Sequence, residues 1–308
     1  MLVNRTVILA KIETAYGTDP TPTGSDAILV ENPSWANEGL RMSERPSVRT
    51  SIGKLQSIYG GRLMSVTFDV EIKGSGTAGA APELGVLLRA CSLGETIAAG
   101  TSVTYAPVST GQESITLYFY IDGKRRILTG CRGNVSTALE VGAQGKMSFT
   151  FTGHVAAETD TTIVTPTYNS TVPVAAINAS FSIGGYAAII DALNFDLGNT
   201  VAMPPNINAA DGYGDIIITA RDVSGSFSPE DVLVATNAFE ADFLAGNTMA
   251  LTTGTIGSAA GNRYAITAPA VYYRDTAKGD RDGVATLEQT CGFAETSATN
   301  DEIAIVFT

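Results

Sequence analysis

The chain has 308 residues, of which 44% are hydrophobic and only 16% charged, with a formal net charge of −12 at pH 7. That acidic balance excludes a nucleic-acid grip, which must neutralise phosphates with Lys and Arg, and leaves open a surface that must not hold DNA. The length exceeds what one compact core usually holds and divides into two units of roughly 130 to 150 residues, while so few charges imply a surface covered in part by neighbouring subunits.

The N-terminus, MLVNRTVILAKIE, has only the short apolar run Thr6 to Ala10, too brief for a secretory signal. No segment approaches the ~18 apolar residues of a membrane span. Cys91, Cys131 and Cys291 lie far apart without a CxxC, which fits free thiols in a reducing compartment. A soluble protein made in a cytoplasm is expected. Asn4 to Ile12 reads as a strand or docked arm, and Ala15 to Thr23 (AYGTDPTPT) breaks it with Gly17, Pro20 and Pro22. Residues 1–26 are therefore expected to be an N-terminal arm that docks on a neighbour.

A first unit is expected over residues 27–155. Ala27 to Val30 starts its sheet, and Arg41 to Gly61 is a long, locally basic loop carrying Arg41, Arg45, Arg49 and Lys54, suited to an acidic surface on the next subunit. In Leu63 to Lys73, Val66, Phe68, Val70 and Ile72 face one side and Thr67, Asp69, Glu71 and Lys73 the other, so one face is packed and one wet. Ala81 to Cys91 predicts a helix with Pro82 in its first turn and Leu84, Leu87, Leu88 and Cys91 on one stripe. Ser114 to Ile121 and Arg126 to Leu128 flank Asp122-Gly123, a hairpin signal, and Val135 to Val141 pairs with Met147 to Val155.

Residues 156–176, AAETDTTIVTPTYNSTVPVAA, have neither helical period nor sustained alternation and suit an extended linker. The same order of elements then repeats over 177–308. Strands are expected at Ser180 to Ile190, Leu193 to Leu197 and Ile216 to Phe227, with a Pro204-Pro205 loop over Asn199 to Gly214. A helix starts at Asn237 with Glu240 in a capping box and stops at Gly246; further strands follow to Thr308. The class is all-β with minor α: two tandem β-sandwiches or barrels, each with one short helix.

Several motifs imitate chemistry. Gly74-x-Gly76-x-x-Gly79 sits between strand and helix, but the strand before it exposes Asp69, Glu71 and Lys73, unlike the buried central strand of a dinucleotide fold. Asp280-Arg281-Asp282-Gly283 resembles a calcium loop whose first position is Lys278 and whose twelfth is Gln289, so an acidic hairpin turn is the better reading. His154 is the only histidine and offers one candidate at most for a triad or metal site. Asn134, Asn169 and Asn178 begin chance glycosylation sequons. Asp69 and Glu71, two apart on one strand face, read as a charged wall rather than a glycosidase pair.

Residues Ala10 to Thr23, AKIETAYGTDPTPT, beside an Ala/Thr/Gly-rich tandem β architecture, resemble the tail tube proteins of long-tailed bacteriophages, in the subgroup where two tube domains are fused in one chain. The resemblance implies a non-enzymatic structural subunit with no catalytic, cofactor or metal site. It implies stacked rings, three chains giving a pseudo-sixfold ring, around a channel that DNA passes without specific binding. The tape measure, terminator and distal tail proteins would be further partners, and the place is the virion tail, assembled in the host cytoplasm. Long loops and arms in such proteins lie between rings, which would put Arg41, Arg45, Arg49, Lys54, Pro204 and Pro205 at inter-ring contacts. A wall that lets a polyanion slide should be weakly repulsive, so Asp69, Glu71, Asp196 and Asp222 are the lumen-facing candidates. The tube of a contractile injection device and a carbohydrate-binding or adhesin sandwich are the alternatives.

Overall fold

The computed structural model describes Leu2 and residues 5–308, so the predicted start at Asn4 lies outside the described residues. The first half holds β1 (Thr6–Ile12), β2 (Ala27–Ile28), β3 (Glu31–Glu38), β4 (Met42–Ser43), β5 (Ile58–Tyr59), β6 (Leu63–Glu71), the helix α1 (Gly85–Ala90), β7 (Leu93–Ala98), β8 (Ser102–Pro107), β9 (Ile115–Ile121), β10 (Lys124–Glu140), β11 (Lys146–Val155) and β12 (Thr159–Asp160). β6 alternates as its sequence requires, burying Val66, Phe68 and Val70 and leaving Thr67, Asp69 and Glu71 half-exposed. β9 and β10 meet at Asp122-Gly123, both at positive φ (39° and 99°), the two-residue hairpin turn expected there.

Two first-half expectations change. Arg126 to Leu128 and all of Val135 to Val141 but its last residue belong to one strand of 17 residues, Lys124–Glu140. Gly130, at φ 63°, lets the backbone bulge between Leu128 and Cys131 without ending the pairing, so the TGCRGN stretch is a bend and not a break. The helix contracts from Ala81–Cys91 to α1, because Pro82 to Gly85 close a separate tight turn through a Gly85 N–H to Pro82 carbonyl bond of 3.0 Å.

The second half holds β13 (Ser182–Ile183), β14 (Ile190–Asp196), β15 (Asn199–Ala202), β16 (Ile217–Arg221), β17 (Ser224–Pro229), the helix α2 (Phe239–Ala245), β18 (Met249–Thr252), β19 (Tyr264–Arg281), β20 (Val284–Phe293) and β21 (Ala304–Phe307). The predicted strand Ser180 to Ile190 shrinks to β13, and Ile216 to Phe227 splits into β16 and β17 around Asp222 and Val223. α2 stops at Gly246 in the left-handed region, φ 64°, as expected, but begins after Ala238 without a side-chain cap, so Asn237 and Glu240 form no capping box.

The largest sheet runs β3-β6-β11-β10-β14-β17-β20-β19, antiparallel throughout. It consists of two runs of four strands in the same order. In each run a long loop joins the first two strands, a helix follows the second, and a hairpin makes the last two. The inner face is apolar: Val70, Met147, Thr137, Phe195, Gly225, Cys291 and Tyr273 are successive register partners, all but Gly225 buried. Gly225 is small of necessity, since a Cβ there would lie 2.8 Å from the Asn194 carbonyl and 2.9 Å from the Phe293 ring.

A second layer of strands covers that face. β2-β1-β9 continues onto the first part of β10, and β7-β8-β21 and β13-β18 flank the first part of β19. The β7–β8 hairpin of the first half thus finishes the outer layer of the second, with Tyr105 opposite Ile305. The length argument for separate cores fails for this reason: one apolar cluster runs from Ile8 to Phe307 through both halves. The linker is docked as well. Ile163, Val164 and Tyr168 pack on Val7, Leu9, Tyr118 and Tyr120. The main-chain N–H of Asn169 donates to Glu83 at 3.1 Å, its side-chain amide donates to the Gly74 carbonyl at 2.8 Å, and its carbonyl accepts from Lys73 Nζ at 3.2 Å.

Candidate functional site

The outward face of the eight-stranded sheet is polar from edge to edge. Glu31, Asp69, Ser148, Ser136, Asp196, Ser224, Gly292 and Tyr272 are register partners in turn across all eight strands. The next row, from β6 to β19, reads Glu71, Lys146, Ala138, Asn194, Ser226, Thr290 and Asp275. Because side chains alternate, every residue of these rows projects away from the core. Around Asp69, Ser136, Ser148, Asp196 and Ser224 the face forms a shallow trough of about 630 Å³. Short hydroxyls and carboxylates dominate it, and its rows contain no histidine or cysteine.

The four wall candidates separate. Asp69 and Asp196 line the trough itself. Asp196 is held by Asn134 Nδ2 at 2.6 Å and the Gly198 N–H at 2.7 Å, and Asp69 accepts from Asn32 Nδ2 at 3.2 Å. Glu71 stands one row over, accepting from Gln144 at 3.3 Å. Asp222 lies in the turn between β16 and β17 rather than in either row. Arg274 grips it through both nitrogens, and these hydrogen bonds hold the Asp222 carboxyl below the usual carboxylate range. Lys146, unremarked in the sequence, places Nζ 2.7 Å from Glu31 Oε2. That hydrogen bond, with the charges of Glu31, Asp69 and Glu71, holds its ammonium above the ordinary lysine value. Ser136, Ser148 and Ser224 were also unmarked; the alternation of Ser148 between Met147 and Phe149 carried the signal.

The sheet ends in two open edges. Among the described residues β3 pairs only with β6, and β19 beyond Val271 pairs only with β20. Both long loops leave the same end. Arg41 is spent within the chain, stacking 4.0 Å over the Tyr213 ring and donating to the Gly212 carbonyl at 2.9 Å, while Tyr213 donates its hydroxyl to the Gly39 carbonyl. Pro204 and Pro205 lie at the base of the second loop, where the Pro204 carbonyl accepts from the Gly214 N–H at 2.8 Å. Beyond the β4–β5 stem the first loop extends Arg45, Val48, Arg49 and Ile52 into solvent, and Lys54 lies 3.8 Å from Glu44. At the opposite end of the sheet is an apolar groove of about 540 Å³, lined by Val141, Ile177, Phe181 and Ile189 and carrying Glu140 and Asp191.

His154 is placed by structure, not chemistry. Tyr16 of the arm accepts the Ile216 N–H at 2.6 Å and its hydroxyl lies 3.2 Å from His154 Nε2, while His154 Nδ1 lies 2.6 Å from Asp211 Oδ2. This chain ties the arm, β11 and the second long loop together. Two glycines of the glycine-rich motif serve close backbone packing: a Cβ on Gly74 would meet the Gly261 carbonyl at 2.0 Å and one on Gly79 the Gly100 nitrogen at 2.3 Å. Asp282-Gly283 forms the β19–β20 turn at φ 54° and 85°. No described helix is long and apolar enough to cross a membrane. The protein family described as phage tail tube protein matches residues 3–294, nearly the whole chain. No curated protein matches it.

Proposed function

Because the chain belongs to the phage tail tube protein family, a structural family and not an enzyme family, we propose that it builds closed rings in which the polar face of its eight-stranded sheet lines a channel for DNA. The observation that carries this reading is the twice-repeated run of four strands ending in two open edges. Within the chain the second run begins where β10 pairs with β14. Between chains, β19 of one copy would meet β3 of the next in the same antiparallel sense, so that no edge is left to aggregate.

Channel width decides the number of copies. With strands about 4.8 Å apart and tilted about 40°, two copies give a backbone radius of about 16 Å and three about 24 Å. Side chains take about 5 Å of that, and a duplex whose major groove alone is about 8.5 Å deep has a radius of about 10 Å. Two copies leave no room for water, whereas three leave a hydrated gap, which favours a trimer of six four-stranded runs. In that ring residues 27–155 and 177–308 act as the two tube units, with 156–176 as the strap between them.

Stacking follows from the two ends of the sheet. The first loop offers exposed Val48 and Ile52 flanked by Arg45 and Arg49, and the far end offers an apolar groove with Glu140 and Asp191. Opposite charge and shared apolar character suit the loop of one ring to the groove of the next. The tape measure, terminator and distal tail proteins would complete the virion tail. Negative-stain microscopy of concentrated protein tests the reading: rings or tubes support it, and dispersed monomers at every concentration refute it.

A further inference from the structure

We propose that Glu31 acts as a cover for Lys146, keeping the one basic side chain in the two polar rows unavailable to a passing polyanion. This rests on the channel reading above. Carboxylates on such a wall then do more than repel phosphate: they occupy fixed cations that would otherwise catch it.

The placement is specific. Lys146 pairs across β6 with Glu71, and its Nζ reaches along the face to Glu31 Oε2 at 2.7 Å, with both side chains well exposed. Glu31 stands at the head of the edge strand β3. Asn32, at φ 49°, and the register break between Glu31 and Ser34 turn that head over the wall, and Asn32 fixes the turn by donating to Asp69. The cations bordering the wall are handled alike. Arg274 is held by Asp222, Arg281 lies 3.1 Å from Asp191 and 3.2 Å from Glu230, and Arg132 donates to the carbonyls of Gln112, Glu113 and Ile216. A cation paired with a carboxylate must give up that partner before it displaces counterions from DNA, the displacement that makes non-specific binding favourable; Arg132, bonded to neutral carbonyls, keeps its charge but has its guanidinium nitrogens directed into the chain. In a stacked tube an uncovered Lys146 would recur in every chain of every ring, so a weak single contact would become a retarding ladder.

The experiment uses a column of the immobilised full chain, loaded with long duplex DNA at low salt, and reads the salt concentration at elution. Wild type is expected to let DNA flow through, and Glu31→Gln to retain it, with a salt slope steeper by about 0.9 per phosphate engaged. The E31Q/K146Q pair should flow through again. E240Q, which makes the same charge change on the exposed first turn of α2, should behave as wild type. Flow-through by E31Q overturns the covering role, as does equal retention by E31Q/K146Q, which would assign the effect to lost negative charge alone. Tube formation is scored separately by microscopy, so failure of the channel reading and failure of the covering role are told apart.

Discussion

Replacing Glu13 by Ala should cost the fold about 4 kcal/mol. The Glu13 carboxylate is buried at the end of β1, where it accepts four hydrogen bonds: Ser114 Oγ at 2.6 Å and Thr116 Oγ1, the Gly130 N–H and the Gly17 N–H, each at 2.7 Å. Two of these partners are main-chain groups that cannot turn away, one in the β10 bulge and one in the arm. Hydrogen bonds to a charged group contribute about 1.5–3 kcal/mol each, and orphaned buried donors cost comparably. The four are not additive, and admitted water recovers part of the loss, which brings the expected total to about 4 kcal/mol of a stability of about 5–15. At about 2–4 °C per kcal/mol for a large domain, the melting midpoint should fall by about 10 °C. Urea unfolding followed by tryptophan fluorescence measures it, with Glu158→Gln as the control: Glu158 is half-exposed beside Arg126 and Lys124, where such pairs contribute under about 1 kcal/mol. A Glu13→Ala loss no larger than the control's would refute the reasoning, since the arm would then not depend on this carboxylate.

Phe149→Ala, which removes the ring stacked 5.8 Å from Phe151 and tilted 6.1 Å from Phe68, should cost about 3–5 kcal/mol in the same assay. Cys91, Cys131 and Cys291 are buried free thiols whose pKa burial pushes up, that of Cys291 to about 12; all three should resist a thiol reagent until the chain unfolds, and rapid labelling of the native protein would contradict this. Arg274 holds the Asp222 carboxyl low, so its contribution is present above the ordinary Asp value near 4 and lost as pH falls through the lower folded value. Asp222→Asn should therefore remove less than about 1 kcal/mol at neutral pH and progressively less as pH falls below about 4, read from urea midpoints across that range. Deleting residues 46–53, the solvent-exposed tip that carries Val48 and Ile52, should leave single rings but stop their stacking, as counted by microscopy.

The fold was legible wherever a single strand has one wet and one packed face. β6 and β14 alternate, as does β11 as far as Phe151, and Asp122-Gly123 and Asp282-Gly283 announced their turns. Legibility failed where pairing outweighs local signal. β3, ENPSWANE, carries Pro33 and little apolar pattern because its outer edge faces solvent in the isolated chain. β10 hides its continuity behind Gly130, and the β7–β8 hairpin crosses to β21, a choice made by the core and not by any local residue. On the polar face of the sheet, Asp69 and Asp196 could be read from alternation, but Lys146 and Glu31 are 115 residues apart, and only register brings them together. Asp222 misled because a predicted strand split around it. The bracing of the first long loop at its base, where Arg41 stacks on Tyr213, left no local signal because the two residues lie far apart in sequence.

The most direct test of the central claim is a cryo-EM reconstruction of assembled protein at a resolution that separates strands. Three chains per ring are expected, with an unbroken inner sheet in which residues 272–281 of one chain pair with residues 31–38 of the next, and the Asp69–Asp196 row facing the axis. A ring closed through other surfaces, or one with that row on its outside, would contradict it.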